Sequence, residues 1–349
     1  MKAKLHSVSI TAVSCLLLVT VLVFSIFLAT SKKASALVGS EFIASRITDD
    51  SIFFNGYALD TTTIQNFLNS KVPACDTNGT QAYGGTTRAA YAASKGVSTP
   101  FTCLKDYRQD VPARSAEANL CNGISAGNKS AAQIIFEVGR SCNVSQASLI
   151  VLLQKEQSLI TDDWPWPIQY RSATGYGCPD TAPCDAEYYG FFNQVYSAAR
   201  QFKNYALNPN RFNFAANRTN YVGYHPNTAC GGGNQTIQNN ATAGLYNFTP
   251  YQPNQAALNN LYGSGDGCSS YGNRNYWRLY NDWFGPTITG WKPSTVYKGV
   301  NGSQLFMVWD GVKYYIPNYD VMIAWNIHRS PVNIVADSYL DGLPSGNWL

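Results

Sequence analysis

This 349-residue chain is short of charge: Lys, Arg, Asp and Glu together make up 13% of it, about half their usual share of a soluble protein. The net charge of +4 is spread along the chain without a basic cluster. No nucleic-acid partner is expected from such a pattern. Histidine is scarce as well: His6, His225 and His328 lie far apart, and the cysteine spacings fit no zinc pattern. Neither a metal site nor a cofactor is expected. After residue 29 no apolar run is long enough to cross a bilayer as a helix.

What the chain does contain in quantity is Tyr, at 23 residues, with Asn and Gly. The surface it implies is polar, weakly charged and rich in aromatic faces, with at most a mild attraction to an anionic envelope polymer. Lys2 and Lys4 precede an apolar run over Ile10–Ala29, and Ala34-Ser35-Ala36 follows as a small-residue cleavage site. This reads as a signal peptide cut after Ala36, or as an uncleaved signal anchor, the run being about long enough to span a bilayer. In either case the remainder lies outside the cytoplasm, and contact with a membrane is expected only through an uncleaved N-terminal segment.

Of nine cysteines, Cys15 lies in that segment, leaving Cys75, Cys103, Cys121, Cys142, Cys178, Cys184, Cys230 and Cys268. An even number in an exported chain predicts disulfides. Because short loops are the easiest to close, the pairs expected are 75 with 103, 121 with 142, 178 with 184, and 230 with 268.

Residues 37–128 read as a loop-rich segment stapled by these cysteines. Ile47–Phe54 suggests an extended stretch, Asp60–Asn69 a short capped helix, and Asn78–Thr102 loops. From residue 129 helical periodicity takes over. Ser130–Arg140 is amphipathic, with Glu137 off its apolar stripe and read as solvated, and Cys142-Asn143 breaks it.

The next helix, Ser145–Ile160, carries the most informative residue. Its Leu and Ile residues cover most of its circumference, and Ser145 is a plausible cap. Measured from Leu149, Leu152 sits at about −60°, Leu153 at about +40° and Ile160 at about +20°, while Glu156 falls at about −20°. The acid thus lies within the apolar stripe, with Gln154 and Lys155 pointing away. A carboxyl group desolvated in this way is expected to hold its proton toward neutral pH and to serve as a general acid, the alternative being an acid near a helix end that simply reaches water. Trp164, Trp166 and Tyr170 follow at the same helix end, and flat rings beside an acid suit a sugar cleft. Tyr176, on the next Gly-bearing turn, counts with them as a substrate contact. Asp185–Tyr205 reads as a further helix, Asn208–Asn240 as loop or short hairpin, and two more helices follow, one stopping before Pro250 and one over Asn275–Phe284.

Leu149-Ile-Val-Leu-Leu-Gln-Lys-Glu156, then Ser172-Ala-Thr-Gly-Tyr-Gly177, then Leu245-Tyr246-Asn247 resemble in order the motifs of the soluble lytic transglycosylases in the lysozyme-like superfamily. Thr249-Pro-Tyr-Gln-Pro253, Tyr271-Gly-Asn-Arg-Asn275 and Asp282-Trp-Phe-Gly285 also look like secreted bacterial proteins labelled hemagglutinin-like. The resemblance implies a mainly α, lysozyme-like α+β central domain over 129–286 that cleaves β-1,4 MurNAc–GlcNAc bonds of peptidoglycan. Glu156 would be its acid/base, Tyr246 the neighbour across the cleft, and Asn247 a residue holding that helix or the substrate. A hydrolase would need a second carboxylate, for which Asp162 and Asp163 are nearest in sequence. The chain differs from the group at Gln157, Tyr176 and Phe248-Thr249, which leaves open a non-catalytic wall- or glycan-binding adhesin on the same scaffold.

The last segment, 287–349, alternates as a β-hairpin around Asp310-Gly311, a type I′ turn signal, and continues into a short helix over Pro317–Trp325. Leu340-Asp-Gly-Leu-Pro-Ser-Gly346 resembles the end of small repeat modules on secreted envelope proteins. A binding or spacer module is expected there.

Overall fold

Short polar side chains cap the starts of six of the α-helices. The computed structural model describes residues 37–179, 182–288, 295–309, 312–324, 332–343 and 345–346; the signal segment lies outside the described residues. Helix α1 (Asp50–Phe53) replaces the extended stretch expected over Ile47–Phe54. Asp49, just before it, pairs with Arg46 three residues earlier at 2.6 Å, and Asp50 accepts the N–H of the distant Ala241 at 2.7 Å. Helix α2 (Thr61–Lys71) starts as expected at Asp60, which accepts the Thr63 N–H, and buries Ile64 and Leu68. Asn78–Thr102 contains more order than expected. Strands β1 (Ala82–Tyr83) and β2 (Thr86–Thr87) turn through Gly84 and Gly85, whose φ angles of 56° and 82° admit glycine most readily, and Thr87 then caps α3 (Arg88–Ser94).

Strands β3 (Arg108–Val111) and β4 (Gly127–Ser130) pair antiparallel and lead into α4 (Ala131–Cys142), where Ser130 and Gln133 form a capping box. Asn143 in the left-handed conformation ends α4, and Ser145 caps α5 (Gln146–Gln157) by accepting the Ser148 N–H. Leu149 through Leu153 are all buried, so α5 is a core helix rather than a surface one. The solvated role expected for Glu137 is replaced by an ion pair with Lys129, whose side chain is buried.

Helix α6 (Pro167–Arg171) is followed by α7 (Phe191–Leu207). The expected start of α7 at Asp185 is displaced because a 3₁₀ turn, Ala186–Tyr188, and Gly190 with φ 98° intervene. Strands β5 (Arg218–Gly223) and β6 (Gly232–Ile237) make the short hairpin, and α8 (Asn240–Phe248), α9 (Gln255–Asn259) and α10 (Gly272–Phe284) complete the helical part. Helix α5 packs against α10, where the Ser148 and Tyr276 hydroxyls lie 2.9 Å apart, and α7 packs against both α4 and α8.

The C-terminal sheet has the order β10-β7-β8-β9, from β7 (Thr295–Gly299), β8 (Leu305–Trp309), β9 (Val312–Ile316) and β10 (Val332–Val335). Strands β8 and β9 pair in the hairpin register expected, Trp309 opposite Val312; Asp310 and Gly311 lie outside the described residues. The short helix expected after Pro317 is α11 (Tyr319–Ala324), and Val296, Met307, Ile316 and Met322 form the module's own apolar cluster. The fold is mixed α+β, with 41% of the described residues helical and 16% in strands. All four disulfides join the pairs expected from the short loops, as suits an oxidising, extracytoplasmic setting. Among the described residues no helix is long and apolar enough to cross a membrane.

Candidate functional site

Three segments far apart in sequence meet at the C-terminal end of α5. Glu156 sits in the last turn of that helix. Its Oε1 pairs with the Lys155 ammonium, which also donates to Thr249 Oγ1 at 3.0 Å and lies 5.7 Å from the Phe248 ring centroid. Its Oε2 faces Gly175, where an added Cβ would stand 3.3 Å away. Two expectations are corrected here. Lys155 does not point to solvent, since its side chain is only 2% exposed, and Glu156, at 25%, faces an ammonium rather than an apolar wall. A buried ammonium needs an acceptor, and the C-terminal end of α8 with the neighbouring carboxylate supplies it.

Gly175 adopts φ 69°, so glycine suits this turn on backbone grounds as well as for clearance. The turn is held by Gln194 of α7, a fully buried amide that sequence reading did not single out. Its Oε1 accepts the N–H groups of Thr174 and Tyr176, each at 3.1 Å, and its Nε2 donates to the Tyr176 and Tyr188 carbonyls, each at 2.9 Å. The cue was a Gln falling among the apolar positions of α7, the same kind of mismatch that marked Glu156.

Trp164 and Trp166 are half-buried and join a ring cluster with Tyr83 and Tyr91 at centroid distances of 5.1–6.4 Å. Tyr170 is buried instead. It stacks on Tyr107 at 4.2 Å, and its hydroxyl donates to the Thr102 carbonyl at 2.6 Å. Burial pushes that hydroxyl well above the usual tyrosine range. Part of Tyr170 lines a pocket of about 480 Å³ with Phe101, Tyr107 and Arg171.

The remaining expected site residues have structural partners. Tyr246 is 0% exposed, and its hydroxyl donates to the Ala44 carbonyl at 2.8 Å, so it offers no group to a cleft. Desolvation raises that hydroxyl strongly. Asn247 clamps Phe214, accepting its N–H at 3.0 Å and donating to its carbonyl at 2.8 Å. Asp162 accepts the Trp164 N–H at 3.0 Å and the Gln169 amide at 2.8 Å, and Asp163 pairs with Arg88 at 2.9 Å. Both aspartates thus shape the loop after α5. Among the described residues no three His, Cys, Asp or Glu side chains gather into a possible metal site.

Tyr176, next to Gly175, lines a polar cleft of about 390 Å³ together with Arg114, Glu117, Glu187, Tyr196 and Arg200. Arg200 Nε donates to both Glu117 oxygens at 2.8 and 2.9 Å, and the Tyr196 hydroxyl donates to Glu117 at 3.1 Å. These bonds hold the Glu117 carboxyl below its ordinary range. Burial raises the Tyr176 and Tyr196 hydroxyls. The cleft was invisible in sequence because its walls come from the β3–β4 connection, the turn after Gly175, the 3₁₀ turn and α7.

No family model, curated protein or solved structure matches the chain. What the site can do is set by its own geometry.

Proposed function

We propose that the protein is a lysozyme-like glycosidase, secreted or held at the cell surface, that cleaves β-1,4 MurNAc–GlcNAc bonds of peptidoglycan with Glu156 as the general acid/base. One observation carries this reading: Glu156 and Gly175, from two separated motifs that resemble those of the lytic transglycosylases, lie side by side, and the neighbouring Lys155 reaches Thr249, two residues past the third motif. In the reaction the Glu156 carboxyl gives its proton to the glycosidic oxygen as the C1–O bond breaks. The resulting carboxylate then stands beside the oxocarbenium charge. In the transglycosylase course it removes the proton of the muramoyl 6-hydroxyl, whose oxygen bonds to C1 and leaves a 1,6-anhydro end. This course needs one carboxylate, which agrees with Asp162 and Asp163 being committed to the loop. The half-buried Trp164 and Trp166 rings offer faces on which pyranose rings stack.

A second reading, a non-catalytic glycan-binding adhesin on the same scaffold, draws on the Lys155 ammonium paired to Glu156 and on Tyr246 being shut inside the core. Mature protein and Glu156→Gln incubated with purified peptidoglycan, with soluble muropeptides analysed by mass, separate the two. Anhydro-muropeptide release by the mature protein alone is expected. Sedimentation of both proteins with the wall and release by neither would leave only the adhesin.

A further inference from the structure

The polar cleft beside Tyr176 holds charges of both signs, and internal pairing does not use them all. Arg200 and Glu117 neutralise one another through two short hydrogen bonds. Arg114 and Glu187 remain. Arg114 donates from Nη2 to Asn193 at 2.7 Å, its guanidinium lies over Tyr196 at 5.2 Å, and its Nε is buried with no hydrogen-bond partner. The Glu187 carboxylate is exposed and has no partner among the described residues. A buried guanidinium N–H left unmatched is unfavourable unless a ligand or water completes it.

A purely anionic ligand would meet Glu187, and a purely cationic one would meet Arg114. A group carrying an ammonium and a carboxylate together satisfies both. The Tyr176, Tyr188 and Tyr196 rings supply apolar wall for the aliphatic carbons between such charges. The volume of about 390 Å³ lies within the range of small-ligand sites, roughly 300–1,000 Å³. Position adds the remaining argument: the cleft begins at Tyr176, the residue after Gly175, whose missing Cβ would stand 3.3 Å from Glu156 Oε2. A glycan chain lying across Glu156 would therefore present its side branches here.

We infer that this cleft binds the ammonium-plus-carboxylate end of the peptide branch of the wall polymer, with Arg114 taking the carboxylate and Glu187 the ammonium. The inference rests on the peptidoglycan reading of the Glu156 site. It makes the protein a reader of peptide-bearing rather than bare glycan.

The test is calorimetric titration of the full mature chain with the free tripeptide L-Ala-γ-D-Glu-meso-diaminopimelate, alongside the same peptide acetylated on its terminal side-chain amine. Saturable binding of the free peptide to the mature protein is expected. It should weaken at least tenfold in Arg114→Gln, in Glu187→Gln and for the acetylated peptide. Circular dichroism confirms that each variant is folded; Glu187 is on the surface and tests the proposal even if Arg114→Gln unfolds. No saturable binding, binding indifferent to Glu187→Gln, or equal binding of the acetylated peptide overturns it. Because no glycan is present, failure here leaves the cleavage reading standing, and an inactive Glu156 leaves this titration readable.

Discussion

Gly175 approaches Glu156 so closely that the Cβ it lacks would stand 3.3 Å from Oε2. Alanine at this position meets two obstacles, the carboxylate and a φ of 69°. A left-handed conformation costs a non-glycine residue about 1–2 kcal/mol. Gly175→Ala is expected to lower muropeptide release at least tenfold while the melting temperature falls by only a few degrees. Unchanged release would show that the turn does not border the reacting bond.

Gln194 holds that turn from beneath. Gln194→Leu strips hydrogen bonds from the N–H groups of Thr174 and Tyr176 and from the carbonyls of Tyr176 and Tyr188. Each buried polar group left unmatched costs about 1–3 kcal/mol. Denaturant unfolding should show a loss of about 3 kcal/mol or more. A loss under about 1 kcal/mol would mean that the turn stands without this amide.

Lys155 and Glu156 act as a pair. Lys155→Met leaves the carboxylate without its cation, and Glu156→Gln leaves the ammonium, on a side chain only 2% exposed, with Thr249 Oγ1 but no carboxylate. A double-mutant cycle on unfolding free energies should return a coupling of about 1–3 kcal/mol. Strict additivity would show that the contact contributes nothing.

The Glu117–Arg200 pair sets a pH dependence. Glu117 is held below its ordinary range by the Arg200 hydrogen bonds. Its contribution is present above the unfolded value, about 4.3, and is lost as pH falls through the lower folded value. Melting temperature measured from pH 6 downward should decline in the acid range, and Arg200→Gln should flatten that decline. Parallel curves for the two proteins would remove the pair from the acid response.

Local chemistry made much of this fold legible. Ser130, Ser145 and Asp60 mark helix starts because a cap is a contact between neighbours in sequence. The four disulfides follow the short loops because those loops close most readily. Glu156 stood out because a helix of known pitch fixes which residues share a face. By contrast, α1 replaces an extended stretch where Asp50 meets Ala241, nearly two hundred positions away.

By itself, then, the amino-acid sequence determined most of the longer helices with several of their caps and the cysteine pairing, and it singled out one acid on a helix face that is otherwise apolar. Tertiary structure alone decided what surrounds that acid. Lys155 turns back toward Thr249, Tyr246 disappears under Ala44, and Arg114, Tyr176, Glu187 and Arg200 assemble one cleft from four separate stretches. Periodicity gives a side chain its direction from its own helix, but its partners are chosen by elements that arrive from elsewhere in the chain.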